Sequence, residues 1–422
     1  MWTLYNLLLT LTAPFWLPWM LWRAHKRGEK PNWKERQGDY RDAIPKKGDR
    51  PRLWVHAVSV GEVVAVQPLL RELRKVLPKH EIVLSVTTSS GHRTARETAE
   101  GLYDYLVYLP IDVARFTLAA MQRVRPDALI VMETELWMNL FWAARTFDTK
   151  IFVVNARLSD CSFPRAKKVG FFYRALFGMV DGVLAQSGTD AERFRELGAT
   201  NVETSGNLKF DQALEGLDDT TDWREELGIE DHRPVVVVGS LRQEEFDEIQ
   251  RVIRMNGIGQ WIIAPRHLET LPVLIQVVTN AATVAEGQLF RIGRRSQGTS
   301  GEVILLDTYG ELARVYGIAD VVVVGGSFKR LGGQNIIQPL AWGKPVLHGP
   351  YMTNFRDVAT LSERVGASMV CANADELNRK LYGLLNDPAR CAQMGQAAKA
   401  LVEANRGASK RMAYTIASRL KP

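Results

Sequence analysis

Residues 54–62 read Trp-Val-His-Ala-Val-Ser-Val-Gly-Glu, a pattern typical of a buried strand that runs through a turn of small residues into a helix. The turn ends in a carboxylate, Glu62, where the helix begins. Because α/β enzymes bind ligands at the C-terminal ends of parallel strands, Glu62 is a candidate general base. The helix dipole favours the ionised carboxylate, so such a base would need partial burial to raise its pKa towards neutrality. From these nine residues alone, a glutamate that merely complements the helix dipole is the preferred interpretation.

Short β-branched runs alternate with helical patterns along the whole chain, which is typical of parallel sheets covered by helices on both faces. In the first half the predicted strands are Leu53–Val58, Ile82–Thr87, Ala128–Met132, Ile151–Val154 and Gly182–Ala185. The pattern restarts after residue 230 with Val235–Val238, Trp261–Ala264, Val303–Leu306, Val321–Val324 and Pro345–Leu347. The sequence therefore predicts an α/β protein with two doubly wound parallel-sheet (Rossmann-like) domains facing a cleft, the usual ligand location in open sheets.

The same patterns give the expected domain boundaries. Residues 30–210 form the first α/β domain, the acidic stretch 211–222 a linker, and residues 223–404 the second α/β domain. The tail is helical in pattern with a break near Asn405-Arg406-Gly407, so a last helix over 405–422 could pack back on the first domain.

An uncharged N-terminal segment indicates contact with a membrane. Leu4–Trp22 is rich in Leu and Trp and is followed at once by a basic flank of Arg23, His25, Lys26, Arg27 and Lys30. A helix of this length spans about 28 Å, close to the thickness of the hydrocarbon core, although Pro14 and Pro18 would kink it. We expect a membrane anchor over residues 1–24 that either spans the bilayer or lies in its surface. The basic flank predicts a cytoplasmic body.

The net charge and the cysteines indicate which partners and sites to expect. The formal charge of +7 is spread along the chain without a basic helix, so nucleic acid is not an expected partner and an anionic membrane surface fits better. The three cysteines, Cys161, Cys371 and Cys391, are far apart and lack histidines at ligand spacing, so we expect neither a disulfide framework nor a zinc site. His56 and His267 are expected to be structural.

The second half carries signals for phosphate binding. Gly239-Ser240 and Gly325-Gly326-Ser327 each follow a predicted strand, and Gly332-Gly333 lies just beyond, so their backbone N–H groups could face an anion. Arg266 follows another strand and offers a planar donor fork for phosphate. Neither a dinucleotide fingerprint nor a P-loop is present, and each glycine pair alone is more often only a turn, as Arg266 alone could be an exposed loop arginine. Three such turns in one half together with Arg266 favour a mononucleotide or nucleotide-sugar phosphate. No Asp-X-Asp occurs, so a metal-chelated diphosphate is unsupported.

Eight short motifs in order carry a family resemblance, and the similarity runs from the anchor to about residue 360. They are His56-Ala-Val-Ser-Val-Gly-Glu62, Met132-Glu-Thr-Glu-Leu-Trp137, Asn155-Ala-Arg-Leu158, Gly206-Asn-Leu-Lys-Phe210, Pro265-Arg-His267, Asp307-Thr-Tyr-Gly-Glu-Leu312, Ile318-Ala-Asp320 and Gly325-Gly-Ser-Phe328. The chain resembles the Kdo (3-deoxy-D-manno-octulosonic acid) transferases of lipid A assembly. The resemblance implies a two-domain GT-B fold, an N-terminal anchor in the bacterial inner membrane, and metal-independent transfer from CMP-Kdo to a lipid A precursor.

The resemblance also implies residue roles. Glu62 matches the catalytic base that would take the proton from the acceptor hydroxyl, with inversion by a single displacement. Glu133 and Lys209 match positions that stabilise the transition state, and a lysine suits the negative charge that gathers on the departing phosphate. From the residues alone, Glu133 would pair with a basic neighbour and Lys209 would be a solvated loop lysine. The segments that match CMP-binding residues are Pro265, Arg266, Tyr309, Gly310, Glu311, Asn335, Ile336, Ile337 and Gln338.

Four residues depart from the family pattern. Gln334 and Gln338 stand where His and Glu are common, and a neutral amide binds ribose hydroxyls less strongly than a carboxylate. Arg242 replaces a usual His and would add positive charge near the donor, and Met138 replaces a usual proline. Two alternatives therefore stay open: a related transferase that uses another CMP- or UDP-sugar, and a catalytically idle scaffold of the lipid A pathway.

Overall fold

The computed structural model describes residues 1–26, 32–160, 162–213, 220–230, 233–255, 259–282 and 291–420. The chain divides into two compact units. Unit 1 comprises Met1–Gln212 and resumes at Asn405, whereas unit 2 comprises Ala213–Ala404. Residues 214–219 of the expected linker lie outside the described residues, as do Cys161 and, in the expected basic flank, Arg27 and Lys30.

Unit 1 is built on a sheet of seven parallel strands in the order β3-β2-β1-β4-β5-β6-β7. The strands are β1 (Arg52–Ala57), β2 (Glu81–Val86), β3 (Tyr105–Tyr108), β4 (Ala128–Met132), β5 (Lys150–Ala156), β6 (Gly182–Ala185) and β7 (Val202–Thr204). Trp54 packs in the core on one face of the sheet, and Leu53 and Val55 pack in the core on the other. The strand order reverses between β1 and β4, which places a ligand crevice at the C-terminal ends of these two strands.

The helices of unit 1 cover both faces of this sheet. They are α1 (Trp2–Lys26), α2 (Trp33–Arg36), α3 (Val60–Val76), α4 (Ser89–Thr98), α5 (Ala114–Val124), α6 (Met138–Thr146), α7 (Ser162–Lys168), α8 (Gly170–Phe177), α9 (Gly188–Glu196) and α10 (Leu208–Ala213). Helix α3 shows why they form: one side of it buries Val63, Val66 and Leu70 against the sheet, at the spacing of successive helical turns.

Unit 2 repeats this architecture with a second seven-stranded parallel sheet, ordered β10-β11-β9-β8-β12-β13-β14. Its strands are β8 (Val235–Leu241), β9 (Gln260–Pro265), β10 (Ile292–Arg294), β11 (Val303–Leu305), β12 (Val321–Val324), β13 (Val346–His348) and β14 (Ser368–Val370). Its helices are α11 (Trp223–Glu226), α12 (Phe246–Met255), α13 (Leu271–Ala282), α14 (Leu312–Val315), α15 (Ile337–Ala341), α16 (Arg356–Arg364), α17 (Ala374–Leu385) and α18 (Pro388–Asn405). The predicted α/β class with two doubly wound parallel sheets is confirmed.

The last helix, α19 (Ala408–Leu420), belongs to unit 1 and packs against α3. Its residues Met412 and Ile416 are fully buried in the core between this helix and the sheet. Asp211, which the sequence assigns to the linker, lies in α10 and accepts hydrogen bonds from the backbone N–H groups of Gly407 (2.6 Å) and Ser409 (2.7 Å). This carboxylate therefore caps the start of α19 and complements its dipole.

Helix α1 is held to unit 1 by polar side chains of its first turns. The Tyr5 hydroxyl donates to Asp112 (2.7 Å), and the side-chain amides of Asn6 and Asn139 exchange hydrogen bonds of 2.8 and 2.9 Å. Burial raises the pKa of both Tyr5 and Asp112 above their usual values. Within the described part of the chain, no helix combines the length and the apolar character needed to cross a bilayer.

Candidate functional site

Glu62 lies at the C-terminal edge of the first sheet, in the first turn of α3. The strand β1 ends at Ala57, and Ser59 is the extended N-cap residue of the helix. One carboxylate oxygen of Glu62 accepts the backbone N–H of Val58 (2.9 Å), and the other accepts the Ser59 hydroxyl (3.2 Å). The side chain is half-buried, so it is oriented by the turn and still open to solvent on one side.

Two further carboxylates face this edge from the neighbouring strand. Glu133 directly follows β4, takes a left-handed backbone conformation (φ 54°) and donates its N–H to the Val154 carbonyl (2.9 Å). Burial raises the pKa of Glu62 to about 7, the bond from Val58 opposes this, and the negative charges of Glu133 and Glu135 raise it further. A carboxylate with a pKa near neutrality is suited to general-base chemistry at physiological pH.

The backbone at Lys209 is held at the same edge by a chain of amide side chains. The backbone N–H of Leu208 donates to Asn155 Oδ1 (3.0 Å), and the N–H of Lys209 donates to Asn207 Oδ1 (3.0 Å). Asn207 in turn donates to Gln186 (2.9 Å), which donates to the Asn155 carbonyl (3.0 Å). Asn155 sits at a bulge of β5 with φ 51°, so the segment after β7 is drawn back over the end of β5, next to β4.

His56 is held inside the first sheet, apart from the carboxylates of this edge. His56 is fully buried, its Nδ1 lies 3.0 Å from both the backbone carbonyl and the hydroxyl of Ser85, and burial lowers its pKa to about 4. Cys371 and Cys391 form no disulfide. Among the described residues, no group of three His, Cys, Asp or Glu side chains could hold a metal ion.

In unit 2, the residues assigned to nucleotide binding follow β9. Pro265 is buried at the end of the strand, whereas Arg266 is exposed and its backbone N–H donates to the Leu241 carbonyl (2.8 Å). Arg242, after β8, lies with its guanidinium 3.3 Å from His267 Nε2. Arg242 also pairs with Glu244 (3.7 Å), so the exposed Arg266 is the basic side chain of this edge that suits phosphate.

The second assigned segment, Tyr309–Glu311, follows β11. Tyr309 is 73% exposed, and Gly310 has the positive φ (84°) that the turn requires. The Glu311 carboxylate accepts from Arg295 (3.1 Å) and from the Thr308 hydroxyl. Tyr309 is thus available to a ligand, whereas Glu311 is already engaged in unit 2.

The third segment, residues 335–338, leads into α15. Ile336 and Ile337 are buried in the core of unit 2, so their side chains face away from any ligand, and their contacts would come from the backbone. The Asn335 side chain accepts the N–H of Ile337 (2.9 Å). Asn335 and Gln338 are half-buried and polar, so they are the side chains of this segment suited to ribose or phosphate.

The glycine turn after β12 does not present the free N–H groups that the sequence suggests. Glu245, a fully buried residue that the sequence interpretation missed, accepts the N–H groups of Gly326 (2.6 Å) and Phe328 (2.7 Å). The N–H of Gly325 donates to the Gly239 carbonyl (2.9 Å). The turn after β12 is therefore filled by a carboxylate of the protein itself, and an anion cannot use these donors.

Gly239 is likewise explained by packing. A Cβ atom at this position would lie 1.9 Å from the Tyr316 hydroxyl, so only glycine allows Tyr316 to pack against the end of β8. The pair Glu244-Glu245 shortly after a Gly-Ser turn was the available signal for the buried carboxylate, because the first turn of a helix can direct such a side chain back to the strand ends.

Comparisons with known proteins assign the chain to a family. Residues 31–212 match the family model described as 3-Deoxy-D-manno-octulosonic-acid transferase (kdotransferase). The 3-deoxy-D-manno-octulosonic acid transferase of Bordetella pertussis is 34% identical over 432 residues, covering 96% of each chain. A bifunctional glycosyltransferase/methyltransferase of Fusobacterium nucleatum is 32% identical over 80% of this chain, which spans 53% of that protein's length.

The solved structures agree on the fold. The crystal structure of MurG from Acinetobacter baumannii superposes with a TM-score of 0.57 over 87% of this chain and 99% of that one, at 12% identity. The architecture is therefore GT-B-like. With near-complete coverage by the Bordetella relative, the chain belongs to the 3-deoxy-D-manno-octulosonic acid (Kdo) transferase family and is a glycosyltransferase.

Proposed function

We propose that this enzyme transfers Kdo from CMP-Kdo to a hydroxyl of a lipid A precursor (lipid IVA) in lipopolysaccharide synthesis, with Glu62 as the general base. The observation that carries the proposal is the carboxylate of Glu62, which is oriented by Val58 and Ser59 and has a pKa of about 7. Such a group is deprotonated often enough at neutral pH to accept a proton from a sugar hydroxyl.

The proposed reaction is a single displacement with inversion. Glu62 takes the proton of the acceptor hydroxyl as its oxygen forms a bond to the anomeric carbon of Kdo. The bond between that carbon and the phosphate oxygen breaks, and its electron pair leaves with CMP. Lys209 would offset the negative charge on the departing phosphate, and Glu133 would stabilise positive charge at the anomeric carbon. Glu133 also raises the pKa of Glu62, which adds a second way for it to act.

The nucleotide is proposed to bind at the C-terminal edge of the second sheet. The exposed Arg266 and Tyr309 and the polar Asn335 and Gln338 support this location. We propose that Pro265, Gly310, Glu311, Ile336 and Ile337 contribute through the shape of their turns and through backbone atoms. The proposal includes no metal, because arginine and lysine side chains supply the compensating charge.

The proposed location is the cytoplasmic face of the bacterial inner membrane, where a lipid acceptor would present its sugar head group. Helix α1 supports this, since Leu7, Leu8, Leu11 and Phe15 are each more than half exposed. Apolar side chains in this number on one helix indicate a membrane or protein contact.

A second candidate is transfer from a different CMP- or UDP-sugar. Arg242 favours it, because it replaces a common histidine and contacts His267 near the proposed phosphate site. An added fixed charge at this position could suit a second phosphate group.

Incubation with CMP-Kdo and the lipid A precursor, followed by mass analysis of the product, tests the proposal. We expect a mass increase of one or more Kdo residues, which reports donor, acceptor and number together. Titration with CMP and with UMP separates the two candidates: tighter binding of CMP supports CMP-Kdo, and preference for UMP would overturn it. Tight lipid binding with no transfer from any donor would instead indicate a scaffold.

A further inference from the structure

Unit 2 contains a cavity of about 420 Å³ at the N-terminal edge of its sheet. The lining comes from the residues just before β8, β12 and β13, from α11, from the end of α17 and from the start of α18. Parallel strands all begin at the same edge, so this cavity lies at the opposite edge from Arg266, which follows the end of β9. Its volume is in the range of small-molecule sites, and it is separate from the proposed nucleotide site.

The cavity is basic. Three cationic side chains line it: Arg224 from α11, Arg233 just before β8, and Lys344 just before β13. A fourth, Lys399 of α18, crosses the lining at Gly343, where a Cβ atom would lie 2.5 Å from Lys399 Cε. Cations from four separate segments of unit 2 therefore converge on one cavity.

The carboxylates around the cavity engage only part of this positive charge. Arg233 is paired with Glu230 (3.1 Å). The acidic residue of the lining, Asp320, accepts the backbone N–H of Val235 (2.7 Å), and the same carboxylate oxygen stands 3.9 Å from Arg224 Nη2. Asp320 thus holds the start of β8 and is only a distant partner for the guanidinium of Arg224.

The remaining basic groups lack a close counter-ion. Arg224 Nη1 is buried and has no hydrogen-bond partner in the part of the chain that the structure describes. Burial lowers the pKa of Lys344, the charge of Asp320 opposes this, and the positive charges of Lys399 and Arg224 lower it further. A buried donor without an acceptor and cations that repel one another are both unfavourable, and an anion bound between them would relieve both.

We infer that this cavity binds a phosphate dianion, either free phosphate or the phosphate group of a small monoester. Arg224 supplies planar N–H donors and Lys344 a compact positive charge, a combination that suits the oxygens of phosphate. A phosphate group carries close to two negative charges at neutral pH and compensates both cations, whereas a carboxylate would compensate one. The apolar side chains of Leu385 and Pro388 form another part of the wall, against which the organic part of an ester packs.

Isothermal titration calorimetry with the full-length chain and inorganic phosphate tests the site, with and without saturating CMP. We expect one phosphate to stay bound in the presence of CMP. The variant R224Q/K344Q should bind it about 10- to 100-fold more weakly, because charge-assisted hydrogen bonds from two side chains are lost. The charge-matched control R251Q/K410Q removes exposed cations of α12 and α19 and should bind normally.

Three results of this titration would overturn the proposal. Unchanged binding by R224Q/K344Q would show that these side chains do not hold the anion, and equal loss in the control would reduce the effect to net charge. Displacement of all phosphate by CMP would place the anion in the nucleotide site.

A second variant keeps the test decisive if R224Q/K344Q does not fold. Ala392 lines the cavity from α18 and is exposed, so Ala392→Glu adds a carboxylate to the cavity without disturbing the core. We expect it to weaken phosphate binding at least about tenfold through charge repulsion, whereas Gln393→Glu, which adds the same charge outside the lining, should have little effect. Equal binding by the two variants would contradict the site.

Comparison of ligands identifies the source of the phosphate group. Tighter binding of glycerol 3-phosphate than of inorganic phosphate would support a monoester as the ligand, and equal binding would support free phosphate. Acetate that binds as tightly as phosphate would overturn the requirement for a dianion and with it the proposal.

Discussion

Each sheet places a glutamate shortly after the strand at its switch point, and the two glutamates have opposite environments. Glu62 follows β1 as the third residue of α3, and Glu245 follows β8 as the last residue of the 3₁₀ turn Gln243–Glu245. Burial raises the pKa of both carboxyl groups. Glu62 is half-buried beside two other carboxylates, whereas Glu245 is fully buried among backbone N–H donors.

The difference shows how one local motif can serve two purposes. Glu245 accepts hydrogen bonds from the N–H groups of Gly326, Phe328 and Arg242. Its carboxylate therefore joins the end of β8 to the end of β12. Glu62 accepts from one N–H and one hydroxyl, and the neighbouring negative charges oppose ionisation. Protonation near pH 7 therefore depends on how few donors surround the carboxylate and on which charges face it.

The largest effect is expected from Glu62→Gln. Loss of a general base lowers turnover by about 10² to 10⁴-fold, because the amide cannot accept the proton of the acceptor hydroxyl. Affinity for CMP should be unchanged, since the proposed nucleotide site lies in unit 2. Steady-state kinetics and a CMP titration measure the two quantities. The exposed Glu97→Gln serves as a control, and full activity of Glu62→Gln would remove Glu62 as the base.

Glu245→Ala tests the other side of the comparison. Removal of the carboxylate leaves the N–H groups of Gly326 and Phe328 buried without acceptors, which we expect to lower the free energy of unfolding by about 3 kcal/mol or more. Chemical denaturation followed by tryptophan fluorescence measures the loss. Asp247→Asn, an exposed carboxylate on α12, should change stability little. Equal stability of Glu245→Ala and Asp247→Asn would contradict the role of Glu245 in joining the ends of β8 and β12.

The sequence predicts the inner strands of both sheets and misses the outer ones. All ten predicted strands are found, and they occupy the inner positions. The four missed strands among the described residues, β3, β7, β10 and β14, are the edges of the two sheets. Edge strands are short and less fully buried, so they need no long β-branched run, and their sequences carry little period-two signal.

For the site, the sequence identifies residue types and misses backbone partners. Glu62 and Glu133 are brought to one edge because β1 and β4 are neighbours, as motif order alone could suggest. The burial that raises the Glu62 pKa, and the occupation of the glycine turn by Glu245, depend on contacts between segments some 80 residues apart. No local pattern reports such contacts, so the phosphate interpretation of that turn is wrong.

A smaller effect is expected from Glu135→Gln, which leaves Glu62 intact and changes its surroundings. Activity requires ionised Glu62, so it should fall about tenfold for each pH unit below 7 and level off above pH 8. This fall of activity at low pH is the acid limb of the pH profile. Because the negative charge of Glu135 raises the pKa of Glu62, removal of that charge should move the acid limb to lower pH by about half a unit. The normalised pH dependence of kcat/KM measures the shift. A shift to higher pH would contradict the charge argument.

The smallest effect is expected from Ser59→Ala, which removes one of the hydrogen-bond donors to the Glu62 carboxylate. The Ser59 hydroxyl donates to the carboxylate (3.2 Å) and lowers its pKa, so its loss should move the acid limb to higher pH, opposite to Glu135→Gln. The Val58 N–H still orients the side chain, so kcat on the alkaline plateau should change less than about threefold. The double variant should show a limb between those of the single variants, because the two terms have opposite signs. If both single variants shift the limb in the same direction, the donors and charges around Glu62 do not set its pKa, and the contrast with Glu245 loses its physical basis.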